Sequence, residues 1–310
     1  MSEQPCRYLE ALFSAGSFSR AAQSLGISQP SLSQFVQRLE RELGAELVDR
    51  TAKPLRPTEA GEAFLEAERA VQTLREDCRK RINDIARGDK GRVVIGASEY
   101  RETYFLTEVL PFFRAAHPDV DLSLEEGTTR ELEDYVAEGR ADLALVVSPV
   151  AAKGLAEIDI YSERILLALA KDDPLAIEAA AAAPGEEFPP LDFSRLHDRP
   201  FIVMKKGQQF NTLFRELCEA TKTKPRVLLG SESLGAALAL VGAGLGAALS
   251  TETLARRSPS AEAVRFFSIR PDVPPRVIVA AYHENRYLSK AARLLVKTMQ
   301  RVAREKFLRG

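Results

Sequence analysis

The chain has 310 residues, a length that predicts about two domains at roughly 150 residues each. Its 43 Lys and Arg residues nearly balance its 44 Asp and Glu residues, and 45% of the residues are apolar, which argues against disorder and against a uniformly basic nucleic-acid coat. Three scattered cysteines, Cys6, Cys78 and Cys218, form no C-x-x-C pair, which argues against a disulfide framework and a cysteine zinc site.

The N-terminal sixty residues predict three short helices. The first ends at Gly16, and the second is capped by Ser17 and covers residues 18–25. The third is capped by Ser28 and ends at Gly44. Two closely spaced helices followed by such a cap are typical of a helix-turn-helix.

A small β-hairpin, or wing, is predicted around Lys53 and Pro54, because the segment is too rich in proline for a helix. Thr58 then opens a long helix that we expect to end at Gly88. Apolar residues along it are spaced 4-3-4-3-4, which predicts a two-stranded coiled coil. The candidate dimerisation residues are Phe64, Ala67, Val71, Leu74 and Cys78. The alternative is a helix that packs on its own domain.

From residue 92 onward, nine strand-like runs alternate with helical runs. This alternation predicts mostly parallel sheets covered by helices, and nine strands favour two α/β lobes over one sheet. The alanine-rich and proline-rich segment 179–190 predicts a mobile surface loop.

Four motifs occur in a specific order near the N-terminus: G-S-F-x-x-A-A, S-Q-P-S-L-S, L-E-x-x-L-G and T-x-A-G. In order and spacing they resemble the DNA-binding region of LysR-type transcriptional regulators. The resemblance implies a multi-domain fold: an all-α winged helix-turn-helix domain, a long linker helix and a two-lobed α/β effector domain like that of periplasmic binding proteins. We expect these at 1–58, 59–90 and 91–310. The first lobe would comprise 91–164 and 268–310, and the second 165–267.

The third predicted helix presents polar side chains at its N-terminus, where a recognition helix contacts DNA. Gln29 and Ser33 offer hydrogen bonds to base edges, whereas cationic side chains contact phosphates. The candidate DNA-binding residues are Ser28, Gln29, Pro30, Ser31, Ser33, Gln34, Arg38, Lys53 and Arg56. Family members often carry arginine where this chain has Gln34. We expect Arg50 to have a structural role, pairing with an acid inside the winged fold.

The resemblance places a ligand between the lobes, at the carboxyl ends of strands. The candidate effector-binding residues are Ser98, Glu99, Tyr100, Thr128, Thr129, Val147, Ser148, Ile202, Val203, Met204, Phe210, Asn211, Leu245 and Gly246. Hydroxyl groups and helix N-termini suit an anion, but Glu99 would favour an amine. Tyr100 and Phe210 could stack on an aromatic ring. The alternative for Ser98, Thr128 and Thr129 is a helix-capping role alone.

The sequence thus predicts a sequence-specific regulator that is controlled by a small-molecule inducer and binds a pseudo-palindromic double-stranded operator. The resemblance implies a homodimer that assembles into a homotetramer and acts on RNA polymerase indirectly. We expect no cofactor, no metal, no enzymatic activity and a cytoplasmic location, because neither a signal segment nor a membrane span is evident. An effector-independent architectural protein and an enzyme in the two-lobed half are the alternatives.

Overall fold

A computed structural model describes residues 4–87 and 91–307 of the chain. The chain divides into two compact units, Met1–Ile82 and Asn83–Gly310. Within the described ranges, no helix has both the length and the apolar character that a membrane span requires. The predicted end of the long helix at Gly88 and the hinge that follows it fall on residues 88–90, outside the described ranges.

The N-terminal elements match the predicted helix-turn-helix and wing. They are α1 (Gln4–Ala15), α2 (Phe18–Leu25), α3 (Gln29–Leu43), β1 (Val48–Asp49), β2 (Arg56–Pro57) and α4 (Glu59–Arg87). The predicted caps are confirmed, since the side chain of Ser17 accepts a hydrogen bond from the backbone of Arg20 and that of Ser28 accepts one from Ser31. These bonds satisfy N–H groups that a helix start leaves without partners.

Glu40 joins α3 to the wing. Its buried carboxylate accepts hydrogen bonds from the backbone N–H of Leu47 (2.9 Å) and of Val48 (3.2 Å). The Arg50 guanidinium donates to the other oxygen at 2.6 Å, which confirms the predicted structural role of Arg50. The position of β1 relative to α3 therefore depends on one carboxylate.

The T-x-A-G motif brings the start of α4 against the wing. The Thr58 hydroxyl donates to the Glu46 carbonyl (2.6 Å) and accepts from the Gly61 N–H (3.0 Å). A Cβ atom at Gly61 would stand 2.1 Å from the Leu47 carbonyl oxygen, so only glycine permits this approach.

The second unit contains two sheets. The five-stranded sheet has the order β4-β3-β5-β13-β6, and the six-stranded sheet has the order β10-β9-β11-β7-β12-β8. Their strands are β3 (Gly91–Ala97), β4 (Val120–Glu126), β5 (Leu143–Val147), β6 (Leu155–Glu163), β7 (Ile165–Ala170), β8 (Pro190–Asp192), β9 (Pro200–Met204), β10 (Arg226–Ser231), β11 (Ala247–Thr251), β12 (Val264–Arg270) and β13 (Arg276–His283). Each sheet belongs to one lobe, and each lobe has its own apolar core.

Helices connect most of these strands. They are α5 (Glu99–Arg101), α6 (Thr107–Ala116), α7 (Thr129–Glu138), α8 (Pro174–Ala182), α9 (Gln209–Thr221), α10 (Leu234–Gly242), α11 (Glu252–Arg257) and α12 (Lys290–Lys306). A π-helical turn at Glu102–Leu106 joins α5 to α6.

Three expectations about this half are wrong in detail. The sheets are mixed rather than mostly parallel, because β7 and β13 pair antiparallel with their neighbours. The predicted loop at 179–190 is partly ordered: the alanine run is the end of α8, and Pro190 begins β8. Residues 268–270 still pair with β8 in the six-stranded sheet, so the second lobe extends beyond 267.

The Glu40→Ala substitution should destabilise the chain by about 3 kcal/mol, because it leaves two buried N–H groups and a guanidinium without their acceptor. Glu42→Ala is the matched control on the same helix, since Glu42 is 65% exposed and lies 3.8 Å from Arg38. It should cost less than about 0.5 kcal/mol. Urea unfolding of the full chain measures both, and equal losses would contradict the role assigned to Glu40.

Candidate functional site

The N-terminus of α3 presents a polar, accessible surface. Leu32 and Val36 are fully buried on one side of the helix, while Gln29 and Gln34 are exposed. The Ser28 hydroxyl is engaged in the cap and lies 2.7 Å from the Ser31 hydroxyl. Of the nine candidate DNA-binding residues, eight are exposed and Ser33 is half-buried.

The cationic candidates lie on α3 and on the wing. Arg38 is exposed, with its guanidinium 5.4 Å from the centre of the Phe35 ring and 3.8 Å from Glu42. Lys53 and Arg56 are both exposed on the wing. Long cationic side chains in such positions can contact DNA phosphates.

The predicted coiled-coil residues do not form one uniform stripe. Phe64 is half-buried and packs on the core of the first unit, so its contacts belong to its own domain. Ala67, Leu74 and Cys78 are exposed, Leu74 by 68%, and Val71 is half-buried. The exposed part of the predicted seam thus begins beyond Phe64.

In the second unit, a cavity of about 780 Å³ lies between the two lobes. Four strand-to-helix junctions surround it: those after β3, β4, β9 and β10. The capping residues Thr128, Gln208 and Ser233 all line it, so α7, α9 and α10 direct their N-termini towards the same space. The positive ends of these helix dipoles favour a negative charge there.

Eight of the fourteen candidate effector-binding residues line this cavity. They are Ser98, Glu99, Tyr100, Thr128, Thr129, Val147, Met204 and Phe210. Thr128 also forms a capping box with Glu131, as its capping alternative predicted, whereas Ser98 makes no side-chain cap bond.

The other six candidates lie outside the cavity lining. Ile202 is buried in the lobe core and Val203 packs against it. The Asn211 amide donates to the Met204 carbonyl (2.6 Å), and the Ser148 hydroxyl donates to Glu157 (2.7 Å). The side chains of Asn211 and Ser148 therefore make structural hydrogen bonds outside the cavity lining.

Leu245 and Gly246 were assigned to the wrong end of a strand. They precede β11, whereas the cavity lies at the carboxyl ends of the strands. Gly246 is required there for another reason, because a Cβ atom would stand 2.5 Å from the Pro200 carbonyl oxygen.

The sequence analysis missed several lining residues, most of them polar. They are Arg101, Glu126, Gly127, Arg130, Glu131, Lys205, Lys206, Gly207, Gln208, Gln209, Glu232, Ser233, Leu234 and Arg276. Most lie within five residues of the ends of β4, β9 and β10, so extending the candidate set that far beyond these strand ends includes them. No local signal marks Arg101 or Arg276.

A buried polar cluster centred on Glu163 connects the cavity to the junction of the lobes. Arg276 donates to Glu163 Oε1 at 2.7 Å. Tyr100 (2.9 Å) and Thr253 (2.7 Å) donate to Glu163 Oε2, and the Tyr100 hydroxyl also lies 2.7 Å from the Thr251 hydroxyl. The Arg276 guanidinium stands 4.8 Å from the Phe210 ring centre, so one face of that ring is occupied.

Burial and neighbouring charges shift the pKa values of the tyrosine and arginine side chains around Glu163. Burial, followed by the charge of Glu163, raises the pKa of Tyr100 and of Tyr161 above its ordinary value. Burial lowers the pKa of Arg276, but Glu163, Tyr100 and Tyr161 together outweigh burial and leave that pKa raised. Burial and the neighbouring Arg276 lower the pKa of Arg101.

The cysteines are free. Burial raises the pKa of the Cys218 thiol and, together with Glu10, raises that of Cys6 to about 11. Both shifts disfavour the thiolate that a redox sensor requires. Within the described ranges, no group of three or more His, Cys, Asp or Glu side chains could hold a metal ion.

Two family models match the chain. One is described as a bacterial regulatory helix-turn-helix protein of the lysR family and matches residues 4–62. The other is described as the LysR substrate binding domain and matches residues 86–304, which is most of the chain. The chain belongs to the LysR family of transcriptional regulators.

Relatives of this LysR-type regulator align with it over nearly its whole length. It is 28% identical over 298 residues to a probable RuBisCO transcriptional regulator of Trieres chinensis, with 94% of each chain covered. It is 27% identical over 303 residues to an uncharacterized HTH-type transcriptional regulator of Bacillus subtilis, with 95% of this chain and 92% of the relative covered.

Full-length LysR-family structures share its fold. An OxyR variant from Pseudomonas aeruginosa matches with a TM-score of 0.69 at 21% identity, covering 97% of this chain and 98% of that one. CbnR in complex with its target DNA matches with a TM-score of 0.66 at 23% identity, covering 98% of this chain and 100% of that one. The winged helix-turn-helix, long helix and two-lobed α/β half are thus a shared architecture.

The Glu163→Gln substitution should destabilise the regulator by about 3 kcal/mol, because it leaves two buried guanidinium groups without a counter-charge. Glu126→Gln, at the exposed rim of the same cavity, should change stability by less than about 0.5 kcal/mol. Urea unfolding of the full chain compares the two. Similar stabilities would contradict the central role of Glu163.

Proposed function

We propose that this LysR-type regulator binds a pseudo-palindromic double-stranded operator through α3 and the wing. The observation that carries the proposal is the capped, exposed N-terminus of α3, whose polar side chains stand opposite buried Leu32 and Val36. Gln29 and Ser33 would contact base edges, and Arg38, Lys53 and Arg56 would contact phosphates.

Two subunits would pair through α4, which presents the two recognition helices to half-sites one or more helical turns apart. The exposure of Leu74 and of Ile82 (57%) supports this pairing, because burying such side chains against a partner helix is favourable. The seam would comprise Ala67, Val71, Leu74 and Cys78, with Phe64 mainly serving its own domain. Assembly into a tetramer through the effector halves follows the pattern of the family.

A small-molecule inducer would bind in the cavity between the lobes and shift how the dimers are arranged on DNA. Bending a site by tens of degrees costs on the order of 1–6 kcal/mol, which differential binding to two arrangements can supply. The change in bend would act on RNA polymerase indirectly. These steps take place in the cytoplasm, and none of them requires a cofactor or enzymatic turnover.

An effector-independent architectural role is the second candidate. A filled cavity would favour it, but the cavity of about 780 Å³ is large enough for a small metabolite. An enzyme in the two-lobed half is the remaining alternative, and turnover of a small metabolite would support it.

The Gln29→Ala substitution should relax base preference at one position of each half-site, costing about 1–3 kcal/mol on the preferred sequence. Gln37→Ala, two turns further along α3, should leave base preference unchanged. Competition binding against a set of single-base operator variants measures this. An unchanged preference in the Gln29 variant would remove it from the recognition surface.

The Lys53→Ala substitution should weaken binding to all sequences alike and lower the slope of log affinity against log salt by about one. A salt titration of operator binding measures that slope. An unchanged slope would show that Lys53 makes no phosphate contact.

The Leu74→Asp substitution should dissociate the dimer, because it buries a carboxylate in the apolar seam. Gln72→Asp places the same charge outside the seam and should leave the dimer intact. Sedimentation of the full chain reports the oligomeric state. An intact dimer in the Leu74 variant would contradict pairing through the seam and would leave the proposed DNA-binding surface unaffected.

A further inference from the structure

Arg101 is a buried cation that lines the cavity between the lobes. It is the last residue of α5, the short helix after β3, and its backbone N–H donates to the Ser98 carbonyl at 2.8 Å. The residue is only 5% exposed, and its Nη1 donates to the Ser98 hydroxyl at 3.2 Å. Its buried Nε has no hydrogen-bond partner within the part of the chain that the structure describes.

The nearby Glu163 carboxylate is shared among donors other than this guanidinium. Glu163 Oε1 accepts from Arg276, and Oε2 accepts from both Tyr100 and Thr253. Arginine remains protonated in proteins. Two buried guanidinium groups, those of Arg101 and Arg276, therefore line the cavity beside a single buried carboxylate, that of Glu163. A buried charge without a partner is costly.

The carboxylates at the rim do not restore the balance. Glu131 is occupied by the backbone and hydroxyl of Thr128, each at 2.8 Å, and Glu232 is paired with Lys205 at 2.6 Å. All the acidic side chains of the rim are exposed, so water screens them.

The surrounding backbone adds to the same preference. Helices α7, α9 and α10 are 10, 13 and 9 residues long, and the positive N-terminal ends of their dipoles face this space. Gln208, the capping residue of α9, makes no side-chain cap bond. Donors and fixed positive charge thus converge on one volume.

We propose that the effector is a small organic oxyanion, a carboxylate or a phosphate ester, whose anionic group pairs with the Arg101 guanidinium. The proposal rests on the proposed function in so far as the cavity is the effector site. Of the two effector classes that the sequence leaves open, an anion and an amine, the cavity favours the anion. Glu99, which suggested an amine, lies exposed at the rim, whereas Arg101 lies in the floor.

The test uses the full chain without DNA, with inorganic phosphate and succinate as oxyanion probes. 1,4-Diaminobutane is the cationic control, and sodium chloride matches the ionic strength. Calorimetric titration should detect binding of at least one oxyanion, and that oxyanion should raise the Tm. Binding of the diamine but of neither oxyanion would overturn the proposal.

The Arg101→Met variant separates a ligand-binding role from a structural one. Removing an uncompensated buried charge should raise the Tm of the ligand-free chain, while oxyanion affinity should fall at least about tenfold. Arg130→Met, on the exposed rim of the same cavity, should change affinity by less than about threefold. A lower Tm with unchanged oxyanion affinity would overturn the proposal.

Arg101→Lys covers the case in which the methionine variant does not fold. It keeps the charge but loses the planar fork, so oxyanion binding should weaken and remain detectable. Unaltered oxyanion affinity in this variant would overturn the pairing with the guanidinium.

Operator binding, measured with and without the probes, distinguishes failure of this proposal from failure of the proposed function. Arg101-dependent oxyanion binding that leaves operator binding unchanged would support the site and overturn effector control. Control of operator binding by a diamine, independent of Arg101, would support effector control and overturn the oxyanion proposal.

Discussion

The buried ion pair between Glu163 and Arg276 lies where the two lobes of the effector half meet. Glu163 ends β6 in the five-stranded sheet, and β7 of the six-stranded sheet begins two residues later. Tyr100 joins the pair from the first lobe, and Thr251 and Thr253 join it from the second. Because Arg276 also lines the cavity, a ligand bound there would lie beside the polar cluster that joins the lobes.

A second contact between the lobes involves the C-terminal helix. Arg257 on α11 donates to Glu108 on α6 (2.8 Å) and to the Lys306 carbonyl on α12 (3.1 Å), and it packs 4.0 Å from the Phe307 ring centre. Lys306 also pairs with Glu108, and these cations lower the pKa of Glu108. The lobes are thus joined by two polar clusters, which gives an effector two sets of contacts to rearrange.

Local chemistry explains which elements the sequence could predict. Serine caps and glycine ends define α2 and α3, and the T-x-A-G motif positions α4, so these appear in the sequence with their boundaries. The edge strand β6 was missed because its strand character comes from pairing with β13, more than a hundred residues away.

The polar floor of the cavity was missed for a similar reason. Burial of Arg101, Glu163 and Arg276 depends on contacts between distant segments, and charged residues are ordinarily expected at the surface. Leu245 and Gly246 were misplaced because a glycine turn does not reveal which end of the next strand faces the ligand. The buried charged residues around the cavity are therefore visible only in three dimensions.

Nuclease footprinting on the DNA that flanks the regulator's own gene, with a salt titration, tests the central claim most directly. The account predicts a long, two-part protected stretch with a hypersensitive centre, as two half-sites on bent DNA require. An oxyanion effector should shift that pattern. An absence of protection at low salt, with the protein folded and dimeric, would contradict the account and reduce the N-terminal domain to a protein-interaction module.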